Sequence, residues 1–132
     1  MNAIRILVAD DHRDFREAVC DFLSQLPNIV VVGEAVDGDD ALVQTGRKQP
    51  DLVLMDLEMP KQDGFEATRE IKRRWPKTRV VILSVYSSEV YRRAAREYLA
   101  DGFIDKNSMK DALLAVLMDQ QARQAQAGVN AA

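Results

Sequence analysis

Cysteine is nearly absent from the 132-residue sequence: Cys20 is the only one, and His12 is the only histidine. A lone thiol excludes a disulfide framework and a cysteine-only metal site and suits a reducing compartment, so a cytoplasmic protein is expected. The longest uninterrupted apolar run, Ala112–Met118, has seven residues, and Arg5, Asp10 and Asp11 interrupt the N-terminal segment before a signal-peptide core could form. Neither a membrane span nor export is therefore expected. Excess positive charge is lacking too. Eighteen Lys and Arg against 21 Asp and Glu give a net charge of −3, the wrong sign for a nucleic-acid-binding footprint, so DNA is not expected as a direct partner. The GxGxxG and GxxxxGK[ST] patterns are missing as well, which leaves no support for a nucleotide cradle.

What is present suffices for one folded unit. With 47% apolar and 30% charged residues the chain can bury a single core and still cover it with a solvated surface. Short runs rich in Val, Ile and Leu recur at roughly even intervals: Ile4–Ala9, Ile29–Val32, Leu52–Met55, Val80–Leu83 and a weaker Phe103–Ile104. Runs of this kind read as strands buried on both faces. Helical spacing separates them. The first helix carries Phe15, Ala18, Val19, Phe22, Leu23 and Leu26, with Cys20 off that apolar face. The second runs from Asp39 to about Lys48 before Pro50, and the third from Gly64 to Trp75 before Pro76.

The fourth helix pairs Val90/Tyr91, Ala94/Ala95 and Tyr98/Leu99 and stops at Gly102; the fifth opens at Ser108 and presents Met109, Leu113, Val116 and Leu117. Strict alternation of strand and helix predicts an α/β fold, a doubly wound five-stranded parallel sheet covered on both faces. Residues 1–120 form this domain, and the Gln- and Ala-rich residues 121–132 read as a flexible tail or linker stub.

Ligands of an open parallel sheet bind at the carboxyl ends of its strands. Asp10 and Asp11 follow the first apolar run, Asp56 the third, Ser84 the fourth, and Asp105 and Lys106 the fifth. Carboxylates brought together repel one another unless a cation neutralises them, and Mg²⁺ suits such a site because it takes a few carboxylate oxygens and keeps waters for phosphate to replace. A lone His and a lone Cys make a poor zinc site. Beside Mg²⁺, a hydroxyl and a lysine, a central carboxylate has one remaining role: a nucleophile that accepts a phosphoryl group.

Four segments carry a resemblance. Ile4-Arg5-Ile6-Leu7-Val8-Ala9-Asp10-Asp11-His12, Pro50-Asp51-Leu52-Val53-Leu54-Met55-Asp56-Leu57-Glu58-Met59-Pro60 with Asp63-Gly64, Val80-Val81-Ile82-Leu83-Ser84, and Gly102-Phe103-Ile104-Asp105-Lys106 occur in that order. Over roughly residues 3–120 the sequence resembles the receiver domain of two-component response regulators, the CheY-like fold of strand order 2-1-3-4-5. Asp10-Asp11-His12 and Asp56-Leu57-Glu58-Met59-Pro60 are most similar to the NarL/FixJ subfamily, whose receivers usually precede a LuxR-type helix-turn-helix domain. The resemblance implies that Asp56 is the phospho-acceptor and that Asp10 and Asp11 hold Mg²⁺ with Asp56 and the Glu58 backbone carbonyl. It implies Ser84 as the switch hydroxyl, Lys106 as the cation that pairs with the acceptor and then the phosphate, and Phe103 as the aromatic switch residue. A sensor histidine kinase or phosphotransfer protein would be the donor, and phosphorylation would promote a homodimer or release a DNA-binding domain. Val85, where the family more often has a small residue, would narrow the approach to Asp56.

Each residue also has an ordinary structural reading. Asp10 and Asp11 could cap a helix, Asp56 end a strand, Ser84 sit in a loop, Lys106 be solvated and Phe103 be core. Their arrival together favours the functional set. His12 is expected to be a partly exposed residue at the first helix's start, with no catalytic role. The cluster Lys72, Arg73, Arg74, Lys77 and Arg79 reads as a solvated helix end, and Arg92, Arg93 and Arg96 as a solvated face near the output surface. The rival function is a Mg²⁺-dependent aspartyl-phosphate phosphatase of the haloacid dehalogenase type. Its Asp-x-Asp nucleophile motif follows the first strand of its core, whereas here Asp56 follows the third and Glu58 occupies the second motif position. A flavodoxin-like cofactor binder would need a Ser/Thr/Gly-rich loop that is missing after the first strand.

Overall fold

The computed structural model describes residues 3–59 and 63–131, so Pro60 of the second resemblance-carrying segment lies outside the described residues. Five strands, β1 (Ile4–Ala9), β2 (Ile29–Ala35), β3 (Leu52–Asp56), β4 (Arg79–Ser84) and β5 (Gly102–Asp105), alternate with α1 (Arg13–Ser24), α2 (Gly38–Lys48), α3 (Gly64–Arg74), α4 (Glu89–Glu97) and α5 (Met109–Ala131). All strand pairs are parallel, in the order β2-β1-β3-β4-β5. Successive residues of a strand point to opposite faces, so the core splits in two. Leu7, Ala9, Val53, Met55, Val80 and Ile82 pack with Ala41, Ala67, Ile71 and Ala95 of α2, α3 and α4. Ile4, Ile6, Val8, Leu52, Leu54, Val81, Leu83 and Ile104 pack with Val19 and Leu23 of α1 and Leu113 and Leu117 of α5.

Several elements differ from the sequence expectation, each for a local reason. On α1, Ala18 faces solvent while Cys20 is half-buried against the second cluster. The fourth helix ends at Glu97 rather than Gly102: the chain turns at Leu99, whose φ of 74° is a left-handed conformation, and Gly102 opens β5. Val90 and Leu99 stay 76% and 50% exposed, so α4 rests on the sheet chiefly through Ala95. A 3-10 turn, Lys106–Ser108, precedes α5 and is capped by Asp105, whose side chain accepts from the Asn107 N–H. The helix α5 runs through the Gln- and Ala-rich segment to Ala131, in keeping with the high helix propensity of those residues.

The cationic cluster is only partly a solvated helix end. Lys72 is 13% exposed at its side chain, lies 2.9 Å from Asp101, and donates to the carbonyls of Pro76 and Thr78. Arg79 reaches Asp119 and Gln120 of α5. These two cations tie the end of α3 and the middle of α5 to the amino-terminal edge of the sheet. Among the described residues no helix is long and apolar enough to cross a membrane.

Candidate functional site

The connections from β1 and β3 run to opposite sides of the sheet, which leaves a crevice between their carboxyl ends. Asp10 follows β1 and Asp56 ends β3, so parallel pairing sets the two carboxylates side by side. Both are buried, at 2% and 4% exposure. Ser84 ends β4 one strand further along, and Lys106 follows β5. The strands thus bring together from far apart in sequence what no local segment could. Asp11 stands at the rim, with its side chain one third exposed.

Lys106 is the electrostatic centre of the crevice. Its Nζ lies 2.8 Å from Asp10 Oδ2 and 3.1 Å from Asp56 Oδ1, and it sits over the Phe15 ring at 4.1 Å from the centroid. The other Asp56 oxygen, Oδ2, is buried without a hydrogen-bond partner among the described residues. A buried unpaired carboxylate oxygen is costly, and the cost shows in the acidity. Burial first, then the Asp10 carboxylate, pushes Asp56 up to about 6, against the opposing pull of Lys106. One ammonium is too little for three carboxylates. Carboxylate oxygens of Asp10, Asp11 and Asp56 and a nitrogen of His12 all lie within 4.8 Å of one another, and the three carboxylates among them fit a hard divalent cation.

The crevice opens into a cleft of about 360 Å³ walled by His12, Phe15, Asp56, Glu58, Ser84, Val85, Tyr86 and Lys106. Ser84 is 2% exposed, and its Oγ accepts a 2.9 Å bond from the Tyr86 N–H, which leaves the hydroxyl proton free to be donated. Val85 is half-exposed at the mouth of the cleft. Phe103 stands apart from the cleft, half-buried against the first core cluster under the Arg92 guanidinium, which lies 4.9 Å from its ring centroid. Asp105 is engaged in capping the 3-10 turn. Arg96 pairs with Glu89 at 2.8 Å on the exposed side of α4.

Two contributors to the site were missed in sequence. Helical spacing places Phe15 only on the apolar face of the first helix, yet its ring backs Lys106. In the sequence Gly64 marks a helix start and, with Asp63, part of the family resemblance, but neither gives it a role at the site; its N–H donates to the Leu57 carbonyl at 2.9 Å, and it leaves no room for a Cβ against the Asp56 and Leu57 backbone. The Asp63-Gly64 pair carried a usable signal, since a glycine immediately after a helix-capping aspartate marks close backbone approach.

Residues 6–118 match the response regulator receiver domain family. The transcriptional regulatory protein DegU of Brevibacillus brevis is 38% identical over 113 residues, covering 86% of this chain and 48% of DegU. The response regulator protein VraR of Staphylococcus epidermidis is 45% identical over 92 residues, covering 68% of this chain and 44% of VraR. The chain therefore spans about half the length of the curated relatives it matches. Among solved structures, the signal receiver domain of the response regulator NarL from Mycobacterium tuberculosis superposes with a TM-score of 0.85 at 33% identity, covering 90% of this chain and 96% of that one. Fold, strand order and sequence thus agree on one conclusion: the chain belongs to the response regulator receiver domain family of two-component systems, in its NarL/FixJ branch.

Proposed function

We propose that Asp56 accepts a phosphoryl group from the phosphohistidine of a sensor histidine kinase or phosphotransfer protein, and that the resulting acyl phosphate switches the output surface of a cytoplasmic transcriptional regulator. The observation that carries this reading is that Asp56, which lines the cleft, has Oδ1 held by Lys106 and a buried Oδ2 with no hydrogen-bond partner among the described residues. Attack by Oδ2 forms an oxygen–phosphorus bond and breaks the donor's nitrogen–phosphorus bond, whose electron pair leaves on the donor imidazole. Asp10, Asp11, Asp56 and the Glu58 backbone carbonyl would hold Mg²⁺, which when bound supplies the charge that offsets crowded carboxylates and phosphoryl oxygens.

Lys106 is placed to exchange its bond to Asp56 for one to a phosphoryl oxygen, and the Ser84 hydroxyl to donate to another. Movement of Ser84 toward the phosphoryl group would draw Phe103 inward from beneath Arg92, altering the surface of α4 and β5. The weak seating of α4 suits an element that must shift. Chemistry beyond self-phosphorylation and hydrolysis of the acyl phosphate is not part of this reading. A DNA-binding domain outside these residues would deliver the output, with a homodimer formed on phosphorylation.

The test is incubation with acetyl phosphate and Mg²⁺ followed by intact-mass spectrometry. A gain of one phosphoryl group, abolished by chelator, is expected; no gain with Mg²⁺ present would refute the proposal.

A further inference from the structure

The side chain of His12 has no part in the function just described, yet its placement is specific. His12 is the residue before α1, with a β-region backbone, and its own N–H donates to Asp10 Oδ1 at 2.9 Å. This fixes the peptide that carries the ring beside the crevice. Its Nδ1 lies 3.2 Å from Asp11 Oδ1 and 3.5 Å from Asp10 Oδ1, while 71% of the side chain remains open to solvent. Lys106 occupies the opposite oxygen of Asp10, Oδ2. The two nitrogen-bearing side chains therefore stand at different oxygens of Asp10, and His12 is the one whose nitrogen lies among the clustered carboxylate oxygens.

We infer that His12 is a conditional ligand that lets this acidic site bind borderline first-row divalent ions, with one imidazole nitrogen added to the carboxylates of Asp10, Asp11 and Asp56. The inference rests on the divalent-cation reading above and extends it to which cations are preferred. Two independent observations support it. The four donor groups lie within 4.8 Å of one another, and Asp56 contributes a buried oxygen that has no partner among the described residues. Mg²⁺ favours oxygen and water, and gains little from an imidazole. Affinity for nitrogen rises from Mn²⁺ through Co²⁺ to Ni²⁺, and imidazole suits the later members of that series. A solvent-open histidine can join such an ion by rotating its ring, and can stay clear of Mg²⁺ and its waters. Discrimination between cations would then lie in a residue outside the Mg²⁺ set.

The experiment compares Co²⁺ and Mg²⁺ binding by tag-free wild-type chain and His12→Asn, using calorimetry for affinity and the imidazole proton resonances for contact. The His12 side chain makes no capping bond and asparagine is a favoured residue before a helix, so the variant keeps the start of α1, and the single histidine makes the resonance assignment unambiguous. The expected result is a loss of Co²⁺ affinity of at least about tenfold in His12→Asn, with Mg²⁺ affinity changed less than about twofold. In the wild type, Co²⁺ should shift the imidazole resonances far outside the diamagnetic range. Equal Co²⁺ affinity in the two proteins would overturn the role of His12 while leaving the Mg²⁺ site standing. Failure of both ions to bind either protein would overturn the cation reading itself.

Discussion

Gly64 is pressed against the backbone of Asp56: a Cβ at position 64 would lie 2.9 Å from the Asp56 carbonyl carbon and 2.8 Å from the Leu57 Cα. The start of α3 therefore braces the peptide that carries the acceptor carboxylate, and the 2.9 Å bond from Gly64 N–H to the Leu57 carbonyl completes the brace. Because the opposing atoms are backbone, they cannot move aside as a side chain would. Gly64→Ala should cost about 2 to 3 kcal/mol of stability, and it should slow phosphorylation by displacing Asp56. Urea unfolding measures the first effect, and a loss under about 0.5 kcal/mol would show that the brace yields.

The acidity of Asp56 makes a second prediction. In chelator, Asp56 binds its proton near pH 6, whereas its ordinary value is 3.8. Between those values the native state holds more protons than the unfolded chain, so the stability associated with this group is present below about pH 4 and lost as pH rises through about 6. Removing the charge removes the penalty. Asp56→Asn should therefore be more stable than wild type at about pH 8, by on the order of 1 to 2 kcal/mol, and the difference should vanish near about pH 4. A difference that does not vary with pH would contradict the assignment.

Lys106 sits between two carboxylates, at 2.8 and 3.1 Å. Its removal takes away a cation that repels Mg²⁺ as well as one that pairs with phosphate. Lys106→Ala should keep Mg²⁺ affinity or tighten it by up to about tenfold, while phosphorylation no longer changes the conformation of the chain. Calorimetry and an amide NMR spectrum with beryllofluoride separate these effects, and weakened Mg²⁺ binding would assign the lysine wrongly.

Cys20 is half-buried near Glu34, and burial, then the Glu34 charge, pushes its thiol up to about 11. Alkylation by iodoacetamide near neutral pH should run about a hundredfold slower than for a free cysteine. A rate close to the free thiol would mean that the α1 and β2 packing around it opens readily.

The strands and the residues at their carboxyl ends were legible because a buried parallel sheet demands continuous apolar runs and ends each at the ligand edge. Asp10, Asp56, Ser84 and Lys106 could be picked out by that rule before any pairing was known. Packing between elements was not legible. Ala18 and Cys20 flank the buried Val19 on α1, and only the path of the neighbouring elements decides which of them turns inward. Lys72 reads as a surface lysine until Asp101 is brought to it across the sheet edge. Val90 and Leu99 have the spacing of a core face, but α4 lacks a second layer to cover them. The contacts of Phe15 with Lys106 and of Gly64 with Asp56 arise from long-range geometry, where one-dimensional periodicity is silent.

The most direct test of the account locates the phosphoryl group itself. After reaction with acetyl phosphate and Mg²⁺, borohydride reduction converts an acyl phosphate to a homoserine residue that peptide mass spectrometry can place. Homoserine at position 56, absent from Asp56→Asn, is the predicted result. Homoserine at position 10 or 11 in place of 56, or undiminished labelling of Asp56→Asn, would contradict it.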